Sequence, residues 1–354
     1  IRITDATLQK NGSQDISGLA NDISIYDMYI APGNGETTQE IPLIIPAILL
    51  TLLDLPAFPG DGITDVKLGT AAVALGPNWR GAVIYRSDDG GESGGNTFNT
   101  IESIGTQASE AIALSALAAG TTYTWDNANT LQVQMYNGEL SSVTELAVLN
   151  GANSAYLGGE IIQFQNATLI SEGIYEISKL LRGRLGTEDK VSTHVINETF
   201  TMLDSTMIRL PMAYNFIGLL KYYKAVALNA VLADTDEQSF TYTARCLMPY
   251  SPVLISATRN VGLDATIIWT RRTRIGGELR DGVNVPLSEA SEAYEVDIYD
   301  GVNVVRTLYS VIQEVVYTAA EQTADFGSPQ SSIDVQVYQM SELVGRGIPG
   351  IATV

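Results

Sequence analysis

Short apolar segments, each interrupted by turn-forming residues, constrain the fold of this chain more than any other feature. Residues 131–136 alternate apolar and polar side chains, and they are followed by Asn137 and Gly138, a pair typical of β-hairpin turns. Residues 161–164 and 175–177 are further short runs of this kind. Because alternation with a period of two places one face of a strand on a core, the sequence predicts an all-β fold.

The pattern also predicts a division of the 354 residues into three parts. Residues 1–50 are interpreted as the end of an upstream domain plus a connector, with strands around Ile3, Ile23 and Tyr29. Residues 51–249 are predicted to form a β-rich middle domain. Pro249 and Pro252 then mark a linker. Residues 252–354 have the length and strand spacing of a β-sandwich.

Helical periodicity is scarce in this sequence. Residues 47–53 and residues 109–118 carry the strongest helical pattern, and we expect few helices, all of them short. Ile1 opens the sequence inside a strand-like run, so we expect the chain to be a portion of a longer protein. No basic segment followed by an apolar core is visible, so no signal peptide is predicted.

The charge of the chain is strongly one-sided. It has 40 acidic and 20 basic side chains, giving a net charge of -20. Such a surface disfavours binding to nucleic acids and to anionic membranes. It favours basic partners or divalent cations.

Few residues are suited to catalysis. His194 is the only histidine and Cys246 the only cysteine, which excludes multi-histidine metal sites and disulfides within the chain. We interpret Cys246 as a small buried side chain and His194 as a surface or structural residue. No catalytic residue and no cofactor are predicted. Pairs of carboxylates suited to glycoside hydrolysis stay open, because their separation cannot be determined from sequence.

An acidic turn at residues 87–93 has the pattern of an Asp box. Ser87, Asp89 and Gly91 are therefore predicted to brace a hairpin, with ligand binding as the alternative. The acidic residues at 61–65 and 88–89 offer oxygen ligands for Ca²⁺, although neither segment has the spacing of an EF-hand loop.

Two arginine-rich segments are candidate interaction sites. Arg271, Arg272 and Arg274 form the only dense basic cluster, which is either a solvated strand end or a contact to an acidic neighbouring subunit. In the second segment, Arg182, Arg184 and Glu188 form either an ion-paired turn or an anion site.

The second segment belongs to a longer motif. Residues 175–188 read YEISKLLRGRLGTE, which resembles a segment of tail-tip (baseplate) hub proteins of siphophage-like particles and gene transfer agents. Further segments are similar to that family in the same order along the chain. They are residues 52–56 (LLDLP), 79–87 (WRGAVIYRS), 269–277 (WTRRTRIGG) and 317–322 (YTAAEQ).

The resemblance implies a structural virion protein rather than an enzyme. A hub of this family lies at the tail tip of a particle assembled in the host cytoplasm, closes the tail tube and supports fibres and host contact. It also implies a homo-oligomer, expected to be a trimer, with the distal tail protein and fibres as partners. Host-surface polysaccharide is a further candidate partner.

Residues 252–354 resemble a fibronectin type III domain. The resemblance implies that Trp269 is the core aromatic residue of the second strand. Ile333 stands where many members carry a tyrosine that fixes a corner of the sandwich.

Two other functions stay open at this point. The first is a carbohydrate-binding module, similar to a lectin or adhesin, that recognises host-surface polysaccharide. The second is a cell-wall hydrolase, which would need two carboxylates converging in a cleft.

Overall fold

The computed structural model describes residues 2–8, 14–19, 45–277 and 285–354. Residues 1–44 and residues 45–354 form two compact units. In the first unit, strands β1 (Arg2–Leu8) and β2 (Gln14–Leu19) pair antiparallel. The strands expected around Ile23 and Tyr29 lie outside the described residues.

Strands dominate the regular structure of the second unit, which confirms the all-β prediction. Its described part contains two short α-helices, α1 (Glu145–Leu149) and α2 (Ala319–Phe326). Neither is long or apolar enough to cross a membrane. The strands are β3 (Ile48–Leu53), β4 (Lys67–Ala74), β5 (Ala82–Ser87), β6 (Phe98–Ile104), β7 (Glu110–Ala113), β8 (Asp126–Asn137), β9 (Ser154–Leu157), β10 (Glu160–Ser171), β11 (Ile174–Leu181), β12 (Thr199–Met202), β13 (Ile208–Pro211), β14 (Leu220–Ala227), β15 (Gln238–Thr241), β16 (Val253–Arg259), β17 (Ala265–Thr270), β18 (Tyr294–Asp300), β19 (Asn303–Ser310), β20 (Glu314–Tyr317), β21 (Asp334–Ser341), β22 (Gly345–Arg346) and β23 (Gly350–Thr353).

Both helices expected from the sequence pattern are wrong. Residues 47–53 coincide with β3, and residues 109–118 contain β7. In β3, Leu52 packs into one core and Leu53 into another on the opposite face. A strand buried on both faces reads as a continuous apolar run, which periodicity cannot distinguish from a buried helix.

The hairpin expected at Asn137 and Gly138 is also wrong. Gly138 does turn the chain, with φ of 90°. However, β8 pairs with β7 and β11, and the chain continues through α1 before β9 begins. The Asn137 side-chain amide donates to the Ala108 carbonyl at 3.0 Å, so this turn is fixed by a contact distant in sequence.

A closed six-stranded barrel, in the order β10-β11-β8-β7-β12-β9, is inserted within a pair of small sheets. The chain builds β3 to β6, then the whole barrel, and then returns to add β13 beside β4 and β14 beside β5. The barrel interior is filled with apolar side chains, including Phe164 and Phe200, whose ring centroids are 6.3 Å apart. The barrel is therefore a packed core and not a channel.

The sheet β13-β4-β3 is sandwiched between two cores. On one face, Leu50 and Leu52 pack against residues of the sheet β15-β14-β5-β6. On the other face, Leu53 packs with Tyr156 and Leu203 from the barrel segment. This layering explains why the run at residues 48–53 is apolar throughout.

The last 103 residues, from 252 to 354, contain a two-sheet β-sandwich. One sheet has the order β16-β17-β20, and the other has β18 between β19 and β21, with β23 beside β21. Trp269 is 4% exposed and meets the Tyr294 ring edge-on at 5.0 Å, so its prediction as the core aromatic is confirmed. A different tyrosine fixes a corner, because the Tyr317 hydroxyl donates to Asp325 of α2 at 2.6 Å.

Residues 249–252, which precede the β-sandwich, pack against other parts of the chain. Tyr250 is buried, and the Pro249 carbonyl accepts a hydrogen bond from the Ile348 N–H at 2.9 Å. The three-part division of the chain stays a prediction. Cys246 is buried in the core of the two small sheets, as expected, and burial raises the pKa of its thiol.

Glu110, at the start of β7, is fully buried where the barrel meets β3. Its Oε1 accepts hydrogen bonds from the Thr51 and Thr201 hydroxyls, while its Oε2 has no partner among the described residues. Burial raises the pKa of this carboxyl to about 7, although the two hydrogen bonds lower it in part. Glu110 therefore opposes folding once it is ionised.

We expect the substitution Glu110→Gln to stabilise the protein increasingly as the pH rises from 4.5 to 7. The unfolded carboxyl ionises near pH 4.5 and the folded one near 7, so the wild type loses stability across that interval. At about 1.4 kcal/mol per pKa unit, the loss is about 3 kcal/mol and is complete above pH 7. Denaturant unfolding at a series of pH values measures it. The control is Glu139→Gln, an exposed carboxylate just beyond β8. Equal effects of the two substitutions on the unfolding free energy at pH 8 would contradict the destabilisation by ionised Glu110.

Candidate functional site

The charged segment at residues 182–188 forms the turn that leaves β11 and closes one end of the barrel. At this end β11 finishes and β8, β10 and β12 begin. Gly183 has φ of 58° and Gly186 has φ of 77°, conformations that glycine adopts without strain. The turn therefore brings its charged side chains to both the inside and the outside of the barrel end.

Arg182 points inward and is completely enclosed. Its Nε and one terminal nitrogen bind the two oxygens of Glu160 at 2.9 and 2.8 Å. The other terminal nitrogen binds Asp126 at 3.2 Å and the Ala118 carbonyl at 2.8 Å, and the Val191 carbonyl accepts a fifth hydrogen bond at 3.1 Å. All five N–H donors of the guanidinium group are thus satisfied.

Glu160 joins this arginine to the only histidine. Its Oε1 also accepts from the Gly183 N–H at 2.6 Å, and its Oε2 lies 2.6 Å from His194 Nε2. The other ring nitrogen of His194, Nδ1, lies 2.8 Å from Glu198. Because both ring nitrogens face carboxylates, the geometry favours the doubly protonated imidazolium.

The ionisation of this cluster follows from its contacts. Burial alone would lower the pKa of His194, but hydrogen bonds to Glu160 and Glu198 raise it above its usual value. Burial alone would raise the pKa of Glu160, but hydrogen bonds from His194 and Arg182 hold it below its usual range. The cluster is therefore a buried chain of alternating charges near neutral pH.

The outer side of the same turn contacts the segments that follow the barrel. A side chain at Gly186 would overlap the Tyr250 ring, so the close packing there requires glycine. The Gly186 carbonyl accepts a hydrogen bond from Arg245 at 3.1 Å, and Arg245 also pairs with Asp189. Glu188 pairs with Arg272 at 2.7 Å.

The candidate arginines differ widely in their surroundings. Arg184 is exposed and donates to Gln163 at 2.9 Å, at the barrel end. Arg274 is almost fully buried against Glu289 at 2.9 Å. Arg271 donates to the carbonyls of residues 285 and 286. The cluster at 271–274 is thus used within the chain, and an external partner would have to compete with these contacts.

The acidic turns are likewise occupied by partners from the chain itself. Asp89 accepts hydrogen bonds from Ser87 and from the Thr97 N–H, while Ser87 Oγ accepts from the Gly91 N–H at 3.0 Å, between β5 and β6. The carboxylates proposed for Ca²⁺ are paired with cations, as in the contacts of Asp61 with Lys67 and Arg209, of Asp65 with Lys67, and of Asp88 with Arg86 and Lys221. Among the described residues, no group of three or more His, Cys, Asp or Glu side chains could hold a metal ion.

Sequence reasoning missed most of the buried cluster. His194, interpreted from the sequence as a surface or structural residue, does not lie at the surface, because its side chain is enclosed between Glu160 and Glu198. Glu198 lies four residues further on and could have been noticed. Glu160 and Asp126 lie at the starts of strands 22 and 56 residues from Arg182, and local sequence gives no sign of that proximity.

The barrel that this cluster closes is the part of the chain that matches a family model. Residues 109–201 match the family model described as Rcc01698-like, C-terminal. The match covers the barrel. It begins one residue before β7 and ends within β12, so it includes every residue of the buried cluster. The comparison with curated proteins finds no match.

Three solved structures show low overall similarity to the chain. The rat CD45 extracellular region, domains d3-d4, is 15% identical with a TM-score of 0.22, and the match covers 38% of this chain and 62% of that one. The FN1-FN3 domains of chicken CNTN1 are 10% identical with a TM-score of 0.22, covering 88% and 99%. The central fibronectin-III array of RIM-binding protein is 10% identical with a TM-score of 0.18, covering 69% and 68%. At these TM-scores the similarity supports no argument about function.

We expect Arg182→Met to destabilise the protein by about 3 to 5 kcal/mol, because it leaves Glu160 and Asp126 buried without their cation. Unfolding in urea at pH 7 measures the loss. The matched control is Arg184→Met, two residues away in the same turn but exposed, which should cost less than about 1 kcal/mol. Similar losses of unfolding free energy for both variants would show that the buried ion pairs of Arg182 contribute no more to stability than the exposed contact of Arg184.

We expect His194→Gln to cost most stability below pH 6.5 and progressively less as the pH rises through the pKa of folded His194. A pKa raised by folding means that the folded state binds the proton more tightly, so the stabilisation is present at low pH and lost at high pH. The measurement is the difference in unfolding free energy between wild type and variant from pH 5.5 to 9.5. A difference independent of pH would show that the imidazolium does not contribute.

Proposed function

We propose that this chain is a structural component of the distal tail tip of a phage-like particle, where it forms part of the hub that closes the tail tube. One observation carries the proposal. The barrel that matches the Rcc01698-like C-terminal family is closed by the same RGRLGTE turn that resembles the hub proteins. The resemblance and the family match thus meet in one structural element.

The geometry of that turn supports a mechanical role rather than catalysis. Arg182 holds the barrel end from inside, and Gly186 and Glu188 fasten the barrel to Tyr250 and Arg272 outside it. The charged groups of the buried cluster face one another, and their side chains are largely enclosed. A turn that secures the barrel to its neighbouring segments suits a protein that must stay assembled while a tail attaches to a cell.

The proposal includes a trimer around the tail axis, with the distal tail protein and fibres as neighbours and host-surface polysaccharide as a further candidate. Low charge density with many tyrosines suits extensive, partly hydrated contacts between subunits. The net charge of -20 favours neighbours that present basic surfaces.

Imaging of intact particles tests this function. We expect a gold-labelled tag at the C-terminus of the chain to mark the tail tip, and averaged images to show three copies there. Label on the capsid or along the tail, or its absence from purified particles, would contradict the proposal. So would cell-wall clearing by the purified chain, which would point to a hydrolase.

The buried cluster offers a matched pair of variants for the same particles. Arg182→Met should reduce the fraction of particles with a complete tip at 37 °C, because an unfolded barrel cannot assemble. Arg184→Met should leave that fraction unchanged.

A further inference from the structure

A cavity of about 450 Å³ opens at the edge of the two small sheets. Its floor is apolar and is made by Ile48 and Leu50 of β3 and by Ala225 and Ala227 of β14. The volume lies in the range of small binding sites, about 300 to 1,000 Å³. The floor can therefore hold a hydrocarbon group out of water.

The rim of the cavity is acidic, and its carboxylates are not paired with a cation of the described residues. It is formed by the connection between β14 and β15, which contributes Asp234 and Asp236. Both carboxylates are exposed, and neither makes a hydrogen bond or ion pair with any described residue. None of the described residues that line the cavity is Lys or Arg. Lys224 of β14 pairs with Glu92 and donates a hydrogen bond to the Leu232 carbonyl of this connection at 3.3 Å, so it is not paired with either rim carboxylate.

Other carboxylates near these sheets are treated differently. Asp61 is bound by Lys67 and Arg209, and Asp88 by Arg86 and Lys221. The cavity thus combines an apolar floor with negative charge that the chain does not neutralise. A cation from outside would complete it.

We propose that this cavity binds a Lys or Arg side chain from a basic peptide segment of a partner protein. The hydrocarbon stem lies on the floor, and the charged head reaches Asp234 and Asp236 at the rim. Asn229 and Gln238, which also line the cavity, provide amide groups for the peptide backbone. This use of the side-chain amides favours a peptide over a simple amine.

Fluorescence anisotropy with the whole chain tests the proposal. The probe is a fluorescein-labelled peptide, Leu-Arg-Leu-Arg-Leu, and its control replaces Arg by Glu. We expect the Arg peptide to bind below 1 mM and the Glu peptide not to bind at that concentration. The double substitution Asp234→Asn and Asp236→Asn should weaken binding at least tenfold, and Ala227→Leu, which fills the floor, should also weaken it.

A second double variant separates specific binding from general attraction to an acidic protein. Asp300→Asn with Glu342→Gln changes the net charge equally at two exposed positions of the sandwich, and it should alter binding less than twofold. Equal weakening by both double variants, or no binding of the Leu-Arg peptide, would overturn the proposal. Melting curves of all variants exclude unfolding as the cause, and none of these results depends on the tail-tip function.

Discussion

The bidentate contact between Arg182 and Glu160 is the interaction on which the barrel end depends. A guanidinium and a carboxylate that are both fully enclosed gain little over an apolar pair of the same volume, because their desolvation offsets their attraction. In this arrangement of β8, β10, β11 and the loop before β12, all five donors of the guanidinium group have acceptors. We infer that the pair fixes how the barrel strands meet rather than adding greatly to their stability.

That constraint extends beyond the barrel through the backbone of a single turn. Gly183, which follows the inward-pointing Arg182, adopts a left-handed conformation, and Gly186 and Glu188 of the same turn face outward. Their partners, Tyr250 and Arg272, belong to the segments that follow. One short turn therefore couples the interior of one β-structure to the surface of the next, without any need for a separate linker.

Period-two alternation and residue type are local signals, so they allowed the all-β class and the burial of Cys246 to be predicted. The core position of Trp269 was implied by the resemblance to a fibronectin type III domain. The sequence did not allow β3 and β7 to be recognised, since the first is buried on both faces and the second is a short, alanine-rich strand between β8 and β12 of the barrel. The charged turn could be found as a motif. Its partners Glu160, Asp126 and Tyr250 could not, because closure of a barrel brings together residues that are distant along the chain.

The insertion of the barrel between β6 and β13 has an evolutionary consequence. Only residues 105–109 and 203–207 connect it to the host sheets, so its coding sequence could move between genes as a cassette. Such a transfer would succeed only where the recipient sheet provides a hydroxyl like that of Thr51 for Glu110 and an apolar face like that of Leu53 for Tyr156 and Leu203. The family match, at residues 109–201, covers this inserted segment.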